Sequence, residues 1–213
     1  MRTETIERTL FKFEELSDEA KEVARDWWRQ CDDDFGFDVE YVYEDASRMG
    51  KLMGIDLDTK PVKLMGGGTR YDPCIWYSGF YSRGDGACFE GSYRYQKGGV
   101  KAIKAECNDP ELIRIATELQ DVQRRHFYKI RAKTSHRGHY YHSGCMPVDV
   151  YHSDDDYRDI GSAEDDITQL LRDFADWIYE QLENAYEYRM SDEAVDESII
   201  ANEYEFNEEG ELP

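Results

Sequence analysis

Three histidines at three-residue intervals, His136, His139 and His142, stand just before Cys145. Imidazole and thiolate are the common ligands of Zn²⁺, and this spacing would align the rings on one side of a helix. The segment Thr134 to His142 reads instead as strand and turn, where His139 points away from His136 and His142. A polar hairpin tip is therefore the favoured reading, and no metal centre is expected. Cys88, in Gly84-Asp85-Gly86-Ala87-Cys88-Phe89-Glu90-Gly91, is the most tempting nucleophile. A catalytic thiol needs a base and a lowered pKa. No local partner accompanies Cys88, so it reads as a small buried thiol.

The acidic runs Asp154-Asp155-Asp156 and Glu164-Asp165-Asp166 lack the central Gly and terminal Glu of a Ca²⁺ loop. Gly66-Gly67-Gly68-Thr69-Arg70 lacks the Gly-Lys-Ser/Thr of a phosphate loop. Arg83-Gly84-Asp85 matches an adhesion tripeptide but is better explained as a turn. With no catalytic constellation, the chain is read as a non-enzyme without cofactors.

Two patterns carry more weight. In the middle of the chain cations interleave with aromatics, and Tyr77, Arg83, Arg94 and Tyr95 are the candidate ligand-binding residues. Aromatics that stack bases beside cations that hold phosphates are the ingredients of a nucleotide or single-strand site. No RNP-type signature is present, so direct nucleic-acid binding is the lesser reading. The second pattern is Asp165, Asp166, Asp173, Asp176, Glu180, Glu183 and Glu187, which recur at intervals that form an acidic stripe on one helix. A rigid row of carboxylates can imitate a phosphate backbone to a DNA-binding partner. The plainer alternative is a solvated helix face.

The charge layout favours the second pattern. The 213 residues carry 26 Lys+Arg against 47 Asp+Glu, a formal net charge of −21. Residues 1–60 hold a net of −8, residues 61–150 a net of +5, and residues 151–213 a net of −18. Such asymmetry steers partners of opposite sign. Hydrophobic residues at 40% and aromatics at 14% argue against disorder. The longest charge-free stretch, Gly138 to Val148, is too short and polar to span a membrane, and the N-terminus has no apolar leader. Five scattered cysteines without a Cys-x-x-Cys suit reduced thiols in a cytosol.

These residues need elements to position them. Thr5–Phe13 reads as an opening strand. Ser17 caps a helix with the stripe Ala20, Val23, Ala24, Trp27 and Trp28, which Asp32-Asp33-Asp34 and Gly36 end. A second helix runs from about Asp38 to a stop at Gly54. Ile55 to Met65 contains a strand, and the glycine triplet is a flexible connection leading to Pro73. Cys74–Arg83 and Ala87–Tyr95 form the central hairpin about Gly84-Asp85-Gly86. Lys97–Cys107 is a short helical element, and Asp109-Pro110-Glu111 starts another helix. Phe127–Thr134 and Val148–His152 are strands. Ser162 with Asp165 opens the longest helix, to about Tyr188, and Ser191 caps a last short one before a strand-like Glu203–Phe206. The expected fold is α+β: a single compact domain over 1–213, with a small antiparallel sheet built around a central hairpin. Several helices pack it, including a long C-terminal one, and 189–213 form a short acidic helix and tail.

The chain resembles a family of small phage and prophage proteins labelled "antitoxin of toxin–antitoxin stability system". The resemblance rests on Glu15-Leu16-Ser17-Asp18-Glu19-Ala20-Lys21 with Trp27-Trp28, Tyr43-Glu44-Asp45-Ala46, Tyr77-Ser78-Gly79-Phe80 and Gly84 to Tyr95. It continues in Arg124-Arg125-His126-Phe127-Tyr128, Tyr157-Arg158-Asp159-Ile160-Gly161, and Ser191-Asp192-Glu193-Ala194-Val195 through Phe206. Lys60–Tyr71 departs from it as an insertion before the central hairpin. The resemblance supplies no catalytic motif. It implies an accessory phage protein in the cytoplasm of a bacterial host. The expected function is inhibition of a host nucleic-acid-processing or antiviral defence complex through the acidic surface. The alternatives are an antitoxin neutralising a cationic toxin, or a nucleotide-sequestering module on the basic aromatic hairpin. The expected partner is a host or toxin protein with a basic surface, and no membrane is involved.

Overall fold

A computed structural model of the chain describes residues 8–32, 39–155 and 159–213. In chain order the elements are β1 (Phe11–Lys12), a 3₁₀ turn (Phe13–Glu15), α1 (Asp18–Asp32), α2 (Glu40–Met53), β2 (Ile55–Leu57), β3 (Thr59–Lys63) and β4 (Thr69–Pro73). There follow β5 (Ile75–Tyr77), β6 (Ala87–Phe89), β7 (Gly91–Arg94), α3 (Gly99–Glu106), α4 (Pro110–Arg125) and β8 (Ile130–Thr134). After a 3₁₀ turn (Ser143–Cys145) come β9 (Val148–His152), α5 (Ala163–Arg189), α6 (Asp192–Ala201) and β10 (Glu205–Phe206). The class is α+β, with small antiparallel sheets and a long helix near the C-terminus. The start of the opening strand (5–7), the Asp33-Asp34 and Gly36 helix break, and Asp38 lie outside the described residues.

The residues sort into a larger unit, Val39–Glu183, and a smaller one made of Met1–Asp38 and Asn184–Pro213. In the larger unit, α2 buries Val42, Ala46, Met49 and Met53 at helical spacing and stops at Gly54, whose φ is +90°. A Cβ there would meet the Arg94 carbonyl oxygen at 2.0 Å, so only glycine fits. The principal sheet has the order β2-β7-β8-β9, with Ile55 opposite Tyr93, Tyr93 opposite Ala132, and Ala132 opposite Val150. Strand alternation buries Tyr93, Ile130 and Ala132, and it exposes Ser92, Arg94, Arg131 and Lys133 on the other face.

Buried Gln123 of α4 donates to the Ile130 carbonyl (2.7 Å) and accepts the Ile130 N–H (3.3 Å), tying helix to strand. At the start of α4 the Asp109 carboxylate accepts the Glu111 and Leu112 N–H groups, and its other oxygen accepts Trp177 Nε1–H at 2.8 Å. Helix α5 buries Ile167, Leu171, Phe174, Ile178 and Leu182, with Phe174 edge-on to Phe89 at 5.7 Å.

Two parts of the larger unit differ from expectation. The central hairpin pairs over only three residues a side, Ile75–Tyr77 with Ala87–Phe89. Its loop is longer than expected because the Asp85 carboxylate accepts the Tyr81 and Ser82 N–H groups (3.0 and 2.6 Å) and folds 78–86 into a turn of its own. Strand β7 leaves this hairpin for the four-stranded sheet. The glycine triplet, in turn, is a hairpin tip rather than a loose connection: β3 and β4 pair in register from Thr59↔Pro73 to Lys63↔Thr69.

In the smaller unit α1, α6 and the β1–β10 pair enclose Phe13, Leu16, Ala20, Ala24, Val195, Ile199 and Phe206. Both Ser-Asp-Glu-Ala sequences start helices: Ser17 Oγ accepts the Ala20 N–H and Ser191 Oγ accepts the Ala194 N–H. Arg25 binds Asp196 with two parallel hydrogen bonds (2.6 and 2.7 Å), and Arg29 Nη2 lies 2.5 Å from Asp192. Val23 of the predicted stripe is 43% exposed, because it sits at the margin of the buried arc.

Candidate functional site

The acidic stripe of α5 exists as a geometric feature. At about 100° per residue its seven carboxylates fall within an arc of about 100°, opposite the buried Phe174 face. One margin is neutralised by α4: Arg114 Nη2 lies 2.5 Å from Asp173, and Arg125 Nη2 lies 3.0 Å from Asp166. Arg114 also binds Glu111 and Glu118, and its guanidinium is pushed further above its ordinary range, first by Glu111 and then by Asp173. Among the described residues Asp165, Asp176 and Glu180 are exposed and form no ion pair, and Glu183 is half-buried. Glu187 is exposed and belongs to the smaller unit. Asp165 to Glu183 spans about 27 Å at about 1.5 Å per residue. Four carboxylates there give one charge per about 7 Å, against one per about 1.7 Å of duplex. The stripe alone is roughly fourfold too dilute to reproduce DNA.

The greater concentration of charge lies elsewhere. The segments of the smaller unit, 1–38 and 184–213, hold 22 acidic and 7 basic residues, a net of −15, whereas the larger unit holds a net of −6. Folding thus joins the acidic N-terminal segment to the acidic C-terminal one. Of the seven basic residues, Arg25 and Arg29 are engaged by Glu22, Asp26, Asp192 and Asp196. Glu193, Glu197, Glu208 and Glu209 are exposed and form no ion pair among the described residues.

The four candidate ligand residues each have separate partners or surroundings. Tyr77 is half-buried, stacks on Phe80 at 5.8 Å, and has its hydroxyl pKa raised by burial. It pairs with Ala87, seven residues of extended chain, up to about 23 Å at about 3.3 Å per residue, from Arg94. Arg83 is exposed in the Asp85 loop. Arg94 reaches Asp56 at 3.8 Å, and Tyr95 lies against Tyr128 with centroids 4.3 Å apart and planes tilted by 36°.

The histidines also diverge. His142 Nδ1 accepts the Gly144 N–H, His139 is exposed, and His136 turns to Cys88, with Sγ 3.4 Å from Nδ1. Among the described residues no three His, Cys, Asp or Glu are placed to hold a metal ion. The Cys88–His136 contact supplies the partner that the local sequence lacked. Burial first, and Glu90 second, push the Cys88 thiol up to about 12, opposite to the lowered pKa that a nucleophilic thiol needs. A neutral S–H beside an imidazole is a packing contact, reinforced by His136 against Trp76 (4.9 Å) and Tyr141 (5.2 Å).

A groove of about 560 Å³ in the smaller unit, walled by Trp27, Trp28 and Tyr204, also escaped the sequence reading. Its one sequence signal is the Trp27-Trp28 pair: adjacent helical positions diverge by about 100°, and both indoles are half-buried against the margin of the core.

The fold and its surfaces define an acidic α+β protein. The chain belongs to the family described as domain of unknown function (DUF8835), which matches residues 39–192. The match begins where the larger unit begins and leaves most of the acidic smaller unit outside it. No curated protein and no solved structure matches the chain. Among the described residues no helix is long and apolar enough to cross a membrane.

Proposed function

We propose that this protein is a non-catalytic inhibitor that engages a basic, nucleic-acid-binding surface of a host protein in the bacterial cytoplasm. The carrying observation is the net −15 of the smaller unit. A field of that sign accelerates encounter with a cationic surface and competes for the Lys and Arg side chains that would hold phosphates. The thinner carboxylate row of α5 is an auxiliary surface. The resemblance to phage and prophage proteins supports a target in host defence or nucleic-acid processing.

The test is displacement of a labelled duplex from a cationic DNA-binding protein. At about 50 mM salt the protein competes with the duplex, and at about 300 mM competition falls by at least tenfold. No competition at low salt, or competition indifferent to salt, refutes the reading.

A further inference from the structure

In the smaller unit, α1 and α6 flank the groove lined by Trp27, Trp28, Cys31, Arg189, Ser198 and Tyr204. Trp27 meets Tyr204 edge-on, with centroids 5.0 Å apart and planes at 77°, so two aromatic faces form a corner. The guanidinium of Arg189 lies 5.9 Å from the centroid of Trp28, so the chain already holds one cation against this wall. Among the described residues no carboxylate lines the groove. Exposed Glu193 and Glu197 run along α6, each one position before groove-lining Ala194 and Ser198. Exposed Glu203 adjoins Asn202 and Tyr204. An aromatic groove in a unit of net −15 is complementary to a cation on an apolar stem.

We infer that this groove is the specificity pocket of the acidic surface and receives an arginine side chain from a basic segment of the partner. Arginine is preferred to lysine because its planar, weakly hydrated guanidinium stacks on aromatic faces, and Arg189 already lies over the Trp28 indole. The volume accommodates the arginine and its neighbours in the segment, within the ordinary range of binding pockets. Arg189 occupies part of the wall with the same charge as the guest, so it restrains binding. The inference rests on the proposed function and adds the residue recognised.

The test titrates the full chain with nona-arginine and nona-lysine by calorimetry at about 50 mM salt. Nona-arginine binds several-fold more tightly than nona-lysine. Trp28→Leu removes about fivefold of the nona-arginine affinity and erases the preference, while Arg189→Gln strengthens nona-arginine binding. Should Trp28→Leu fail to fold, Ser198→Tyr fills the groove from α6 and produces the same loss. Equal affinity for the two peptides, or variants that bind like wild type with the salt dependence intact, overturns the pocket and leaves the acidic-surface reading standing. Absence of binding to either peptide overturns both. Saturable binding of a nucleotide that Arg189→Gln abolishes overturns the pocket's assignment to a cation.

Discussion

If Cys88 is a packing thiol, its reactivity is fixed by two numbers. Its pKa is pushed up to about 12, first by burial. At pH 8 that leaves a thiolate fraction of about 10⁻⁴, against about 0.24 for a thiol with the ordinary pKa of about 8.5. The deficit is about 2,000-fold. A more basic thiolate is intrinsically more nucleophilic, and a Brønsted slope of about 0.45 returns about 40-fold. The net retardation is about 50-fold or more before access is considered, and Cys88 is 1% exposed. Peptide-resolved alkylation of the native protein with iodoacetamide, quenched over a time course, gives the rate for each thiol separately. Exposed Cys145 is the internal reference. Cys88 alkylates at least 50-fold more slowly than Cys145, and the gap closes in denaturant. A Cys88 rate within threefold of Cys145 in the native protein means that His136 activates the thiol, and the non-catalytic reading is then wrong.

Asp109→Ala removes the α4 cap and the acceptor of the buried Trp177 indole N–H together. The cap contributes about 1 kcal/mol and a stranded buried donor costs about 1–3, so urea unfolding shows a loss of about 2–4 kcal/mol. Asp109→Asn keeps one acceptor, enough for the cap, but sets its amide N–H against the Trp177 N–H, so it recovers only the cap's share of about 1 kcal/mol. Asp85 has its pKa lowered, first by the Ser82 N–H. A carboxylate with a depressed folded pKa stabilises when ionised, so the 78–86 turn is ordered above about pH 4 and loosens as pH falls through the depressed value. Amide exchange at Tyr81 and Ser82 accelerates there, and Asp85→Ala gives the same acceleration at pH 7 without shifting the melting temperature.

Elements with strong local signals were legible in the sequence. The α5 stripe, the Asp109-Pro110 start and the Ser17 and Ser191 caps are written within one or two turns of helix, and each folds as read. The β3–β4 hairpin was not, because Thr59-Lys60-Pro61-Val62-Lys63 and Thr69-Arg70-Tyr71-Asp72-Pro73 lack apolar alternation and each contains a proline. Both strands are largely exposed, so burial imposes no pattern on them. The Cys88–His136 contact joins residues 48 apart, and neither segment marks the other. The same holds for the charge. Residues 1–38 and 184–213 carry their acids in separate thirds of the sequence, and long-range contacts such as the shared core, the pairing of β1 with β10 and that of Arg25 with Asp196 put them in one unit. On α5, whose carboxylates do sit in one segment, two of the seven are consumed by Arg114 and Arg125.

The central claim is that the terminal unit, more than α5, is the surface that meets a basic partner. Two variant sets separate them: Glu193→Gln, Glu197→Gln, Glu208→Gln and Glu209→Gln in one, and Asp165→Asn, Asp176→Asn and Glu180→Gln in the other. The readout is the affinity for a cationic DNA-binding protein as a function of salt. At about 0.4 kcal/mol per exposed pair, the first set weakens binding by about tenfold or more and flattens the salt dependence, while the second changes affinity by less than about threefold. The opposite order of the two sets, or a wild-type affinity unchanged between low and high salt, contradicts the account.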